Sequence, residues 1–271
     1  MQHAQVASAT APTSWWKREN LLPGLALLGV TAGAWAYTLT QATAMPGMQM
    51  PATMDTMGGM EASRALVQPG DLALFLLGWA VMMVAMMLPA ALPLILLYRT
   101  VTRKRLGSGA AAVGIVALFV GYLAVWTVAG LPVYGYHLLA TATGPIMGVL
   151  PGLLLIVGGI YQFTALKQGC HVRCSNPLFF LAQRWKPGMR GAARLGIVHG
   201  IDCLGCCVGL MLALVALGMM NVAWMLTAAV IIFVEKTLPG GHRIARPLGI
   251  LLVVGGIVVL GTSLLNGTVA M

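Results

Sequence analysis

Residues 72–98 read LALFLLGWAVMMVAMMLPAALPLILLY, without one charged side chain. A hydrocarbon core about 30 Å thick is crossed by roughly 20 helical residues, so this stretch is long enough to span a bilayer. Apolar runs recur at 21–37, 110–131, 146–166, 196–218, 222–234 and 247–265, the run at 222–234 being the shortest. Backbone polar groups in lipid must be satisfied within the segment, and no ten-residue alternating pattern points to a barrel, so all of them are expected as helices. The composition agrees: 59% of the 271 residues are hydrophobic and 8% charged, which leaves no room for a sizeable soluble domain. The expected fold is all-α, a polytopic transmembrane helix bundle of about seven spans.

A net charge of +10 would ordinarily raise the question of nucleic acid. Here the cations sit at the ends of apolar runs, where they encode orientation, and no nucleic-acid partner is expected. Threading the spans alternately puts Lys17, Arg18, Arg99, Arg103, Lys104, Arg105, the six cations from Lys167 to Arg194, and Lys236, Arg243 and Arg246 on one side. The positive-inside rule makes that side cytoplasmic, with the N-terminus in and the C-terminus out. Only Arg64 falls outside. The chain then divides into a mobile cytoplasmic tail at 1–20, a first span at 21–44, an exterior loop at 45–70 and a six-helix metal-binding membrane domain at 71–271. Lys17, Arg18, the first apolar run and Ala42-Thr43-Ala44 also resemble a secretory signal with its cleavage site. The run is long for a signal, so a retained anchor is favoured; cleavage would leave six spans. The expected location is the cell inner (plasma) membrane, with membrane lipid as the surrounding partner.

All five cysteines fall in the second half of the chain. Cys170 and Cys174 are four apart at the cytoplasmic end of the fourth span; Cys203, Cys206 and Cys207 keep to three- and four-residue spacings in the fifth, with His199 one turn earlier and Asp202 beside them. Positions three and four apart share a helix face, so these thiols can converge on one ion, supported by an imidazole and a carboxylate. Cysteine is also a small buried hydrophobe, and packing would account for one or two of them. A structural disulfide is disfavoured by the reducing side on which they fall. The spacing is not the paired C-x-x-C of zinc ribbons.

Methionine gives a second signal. Met45, Met48, Met50, Met54, Met57 and Met60 place six thioethers within residues 45–60, in an exterior loop where they have little to bury. Thioether sulfur needs no deprotonation and suits Cu(I) in an oxidising compartment; the plainer alternative is a sticky linker. In the second span, Met82 and Met86, and likewise Met83 and Met87, repeat at four and form two adjacent stripes, for which core packing is as good an account as ligation. Pro89 and Pro93 predict a kink beneath them. Charged groups inside a membrane are functional candidates by default, and two acids qualify: Asp202, near the thiols, and Glu235, which with Lys236 is either a solvated interfacial pair or a structural one. Tyr161, Gln162 and Asn221 read as caps or interface anchors.

Taken together these motifs resemble the family of predicted metal-binding integral membrane proteins long filed as a domain of unknown function, some of whose members are described as membrane copper chaperones for tyrosinase-type enzymes. The resemblance covers roughly 78–241. It rests on Trp79 to Pro89 with its paired methionines, on Tyr161-Gln162 followed by Lys167 and Cys170/Cys174, on Gly200 with Cys203, Cys206, Cys207 and Met211, on Gly218-Met219-Met220-Asn221 with Trp224-Met225, and on Glu235-Lys236. Val208 and Ala165 depart from it, where an aromatic residue and a proline are expected. The resemblance implies copper handling, and the residues independently ask for a soft metal.

The expected function is therefore a Cu(I)-binding membrane chaperone that delivers copper to a partner cuproenzyme, with no enzymatic activity of its own. The outer loop with Met219, Met220 and Met225 would hold copper outside, the Met82–Met87 stripe would line a path, and the cysteines would form the tight inner site. A copper permease would use the same ligand ladder without a protein acceptor. A membrane thiol oxidoreductase would use the cysteines alone and show a thiol activated by a neighbouring cation. No nucleotide loop or catalytic triad is visible. Replacing the six loop methionines by leucine keeps size and apolarity but removes sulfur. It should lower copper capture from the exterior while the inner site stays occupied, as measured by metal uptake into cells; unchanged uptake would reduce the loop to a linker.

Overall fold

A computed structural model describes residues 18–44, 69–142, 149–218, 221–238 and 240–269, and all the regular structure among them is helical. In chain order the helices are α1 (Arg18–Ala44), α2 (Pro69–Leu106), α3 (Ser108–Ala142), α4 (Leu150–Tyr161), α5 (Ala165–Ser175), α6 (Pro177–Arg184), α7 (Gly188–Leu217), α8 (Val222–Thr237), a 3-10 turn at Gly241–Ile244, and α9 (Ala245–Val269). The methionine-rich loop at 45–60, the tail at 1–17, and Met219 and Met220 lie outside the described residues. Helix α1 begins at Arg18, inside what reads from sequence as tail.

Among the described residues five helices are long and apolar enough to cross a membrane, and six if a bent pair counts as one span. The chain is thus a polytopic α-helical bundle. Two of the spans expected from sequence look different in three dimensions. The fourth is broken: α4 and α5 meet at 67°, and 12 residues of α4 at 1.5 Å each reach only about 18 Å. The break falls where Gln162 and Phe163 close turns onto Gly159 and Ile160 and where Thr164, in extended conformation, accepts from the Lys167 amide to start α5 afresh. The sixth, α8, has 16 residues, about 24 Å, which is short of a full hydrocarbon core. Asn221 starts it, its side chain accepting from the amides of Ala223 and Trp224, which satisfies two of the four free N–H groups of a helix end. Helix α2 is one helix through Pro89 and Pro93.

Helix α7 is the hub. It packs against α3, α4, α5 and α8, while α2 lies against α1, α3 and α8. The large buried side chains of α2, α3 and α7 form one core that also contains all five cysteines. Helices α1 and α9 keep Leu22, Leu25, Leu251 and Leu265 exposed, as expected of surfaces that face lipid tails. In lipid, helices associate by close packing of small residues rather than by a solvent-driven hydrophobic effect. Gly196 on α7 supplies such an approach: a Cβ there would collide with the Leu118 carbonyl oxygen of α3.

Several polar contacts tie the basic ends of the helices together. Asn20 of α1 accepts from Arg99 at 2.9 Å and donates to Thr100 at 3.0 Å, both at the far end of α2. Trp185, after α6, donates to Thr102 at 3.3 Å, and its ring lies 4.8 Å beneath the Arg105 guanidinium. At the core, Trp79 donates its indole N–H to the Trp126 carbonyl at 2.7 Å, joining α2 to α3.

One buried ion pair locks α5 to α8. Lys167 Nζ lies 3.1 Å from both carboxylate oxygens of Glu235 and also donates to Gln162 Oε1. Lys167 and Glu235 are 3% and 4% exposed, so Glu235 is a structural group and not a solvated interfacial one. Neutralising one partner strands the other charge in a low dielectric, whereas replacing both does not.

Gly196→Ala should therefore lower the midpoint of thermal unfolding in detergent, with a cost of about 1–3 kcal/mol for overpacking. Gly255→Ala, where a Cβ meets nothing within 4 Å, should leave it unchanged or raised. Glu235→Gln should cost about 3–5 kcal/mol, and the double variant Lys167→Met with Glu235→Met should recover most of the loss; an equal or larger loss in the double variant would mean the pair is not the lock.

Candidate metal-handling site

The break after α4 turns α5 back onto α7, and that turn brings the two cysteine groups together. On α5, the thiols at 170 and 174 occupy one face and both are buried. On α7, Cys203, Cys206 and Cys207 are each at most 2% exposed. Cys174 faces Cys203 and Cys206 closely enough to interact with them electrostatically, Cys206 Sγ lies 3.5 Å from Cys207 Sγ, and Cys206 donates to the Cys203 carbonyl at 3.1 Å. All five cysteines are free thiols.

Cys170 sits at the edge of this group, where the absence of a side chain at Gly205 makes room: a Cβ on Gly205 would stand 2.6 Å from the Cys170 sulfur. Tyr161 donates to the Gly205 carbonyl at 2.5 Å, so the end of α4, the middle of α5 and the middle of α7 meet at one point. The thiols are gathered rather than caged. Among the described residues no three or more His, Cys, Asp or Glu side chains are placed so that they could hold a metal ion.

His199 is buried one turn before Cys203, as its spacing implies. Its ring stacks on Tyr122 at 5.8 Å and meets the edge of Phe180 at 5.3 Å, and its Nδ1 is buried with no hydrogen-bond partner among the described residues. A nitrogen donor is thus held in an aromatic box beside the sulfurs.

The Asp202 carboxylate faces two guanidinium groups. Consecutive residues on a helix point about 100° apart, and its oxygens take Arg173 Nε at 2.8 Å and Arg184 Nη1 at 3.5 Å. It is a counter-ion that ties α5 and α6 to α7. Arg173 also reaches back to the Cys170 sulfur at 3.4 Å.

Two groups touching Cys203 were not legible as part of the site. Lys236, at the end of α8, places Nζ 2.8 Å from Cys203 Sγ, and Tyr122 of α3 places its hydroxyl 3.1 Å away. The signal for Lys236 was its place beside an acid at a span end; Tyr122, a polar-tipped ring four residues before Trp126 in an otherwise apolar run, gave a weaker one.

The methionine stripe is fully inside. Met83 and Met87 have no exposed surface and Met82 and Met86 almost none; they belong to the same contiguous core as the cysteines, together with Met211 of α7 and Met225 of α8. Soft sulfur is therefore present in one core on α2, α5, α7 and α8, a donor set suited to a soft monovalent cation and poorly suited to hard ions.

No curated protein and no solved structure matches the chain. The model of one family, PpoB2, described as a copper chaperone, matches residues 76–259. The match runs from α2 into α9 and takes in every helix that contributes to the sulfur cluster, well over half of the 271 residues, and so the chain belongs to the copper chaperone family.

Proposed function

We propose that this protein is an integral-membrane Cu(I) chaperone of the inner (plasma) membrane that passes copper, its cargo, to a partner cuproenzyme. The observation that carries the reading is the gathering of Cys174, Cys203, Cys206 and Cys207, from two helices, in one buried, sulfur-rich core. Membership of a copper chaperone family supports it independently.

In this reading those four thiols are the tight site, with Cys170 and His199 at its margin. Asp202 positions α5 through Arg173 and does not ligate. Met82, Met83, Met86 and Met87, with Met211 and Met225, offer weaker thioether donors along the approach, and the loop methionines capture copper outside. Transfer proceeds by ligand exchange: each incoming sulfur binds the ion as another leaves, so the metal keeps its oxidation state. Seven spans with the N-terminus in and the C-terminus out complete the proposal, supported by the clustering of fifteen of the 16 Lys and Arg residues on one side.

The deciding measurement is the copper content and affinity of reduced protein purified without oxygen. Serine is a hard, normally protonated donor that a soft ion binds poorly. Cys203→Ser, Cys206→Ser or Cys207→Ser should therefore weaken Cu(I) binding by at least about tenfold, the loss typical of disturbing even an outer-shell partner. Sealed vesicles should retain their copper until an apo-cuproenzyme is supplied. Copper crossing the vesicle with no acceptor would make the protein a permease, and a triple serine variant that loads the enzyme as well as the native chain would remove the cysteines from the pathway.

A further inference from the structure

The charges around the sulfur cluster are uneven. Asp202 is bound by Arg173 and Arg184, and Lys167 is matched by Glu235. Lys236 has a different partner: its ammonium is directed at Cys203 Sγ, 2.8 Å away, next to the Tyr122 hydroxyl. Cys203 interacts in turn with Cys174, Cys206 and Cys207, as Cys206 does with the other three. A fixed positive charge is thereby set against one sulfur of a buried group of four. Arg173 adds a contact at the margin, on Cys170.

Formal charge then decides which ion closes the site. For any one set of ligating thiolates, the complex of a monovalent cation is one unit more negative than that of a divalent cation, and an ammonium in contact attracts it correspondingly more. The difference is greatest in a buried site of low dielectric. We infer that Lys236 is a specificity-determining residue that selects a monovalent over a divalent soft cation at the cysteine cluster. The inference deepens the proposed copper reading and rests on it.

The test uses full-length, reduced protein in detergent, with silver(I) as a redox-inert monovalent probe and cadmium(II) as a divalent thiophile. Both are titrated in competition against chromophoric chelators. The native chain should prefer silver over cadmium by more than a free dithiol does in water. Lys236→Gln and Lys236→Met should each reduce that preference by at least about tenfold, since they remove a unit charge in contact with the ligating sulfur, and Lys236→Arg should preserve it. Monodispersity and helical content identify variants that fail to fold; the comparison of native chain with free dithiol needs no variant and stands without them. Silver binding by the native chain with an unchanged preference in the neutral variants, or with no excess over the free dithiol, would overturn the role of Lys236 alone. A native chain that binds no silver would overturn the copper reading and this inference together.

Discussion

Between Tyr161 and Ala165 the chain turns through 67°, and the contacts of the sulfur cluster depend on that turn. A straight helix continuing from α4 would carry Cys170 and Cys174 along the axis of α4 and not along the course α5 takes against α7. The turn is held from both sides. The Tyr161 hydroxyl reaches the Gly205 carbonyl, Gln162 and Lys167 are joined by their side chains, and Lys167 continues to Glu235 on α8. A helix break inside a membrane leaves backbone groups that lipid cannot satisfy, and such breaks are tolerated where protein supplies the partners. Here the partners are the turns onto Gly159 and Ile160 and the Thr164 side chain at the start of α5.

The same polar residues that stabilise the break also set the electrostatics of the site. Glu235 and Lys236 are neighbours on α8, yet one is matched by Lys167 and the other faces Cys203. Fixing the first contact fixes the approach of the second, because the end of a helix moves as a unit. Asp202 does the equivalent on α7, where it draws Arg173 and Arg184 together while the adjacent Cys203 points into the cluster. Buried ion pairs contribute little net stability against well-packed apolar side chains. Their value here is geometric, since they specify how α5, α6 and α8 meet the hub helix.

Close helix packing supplies the rest. Gly196 lets α7 lie on the backbone of α3, and Gly205 lets the Cys170 sulfur reach the backbone of α7. At both places the smallest residue is required because the neighbouring helix or sulfur occupies the space a side chain would fill.

The sequence by itself determined the membrane class, the helical fold and most of the positions of the spans, because apolar length is a one-dimensional property that lipid thickness reads directly. It also brought out the five cysteines, His199 and the methionine stripe, since helical spacing alone places them on shared faces. Tertiary structure decided which of those faces meet. Whether Cys174 approaches Cys203 depends on a break that hydropathy does not register, as Ala165 and Leu166 are as apolar as the helix before them. The partners of Asp202, Glu235 and Lys236 were equally hidden: Asp202 lies within α7 and the other two at a helix end where a charge reads as solvated, and each has its partner on another helix, 68 residues away in the case of Lys167 and Glu235 and 33 in the case of Cys203 and Lys236. A charge pair across that separation leaves no periodic trace in the chain, because it is set by how whole helices dock and not by the spacing along either one.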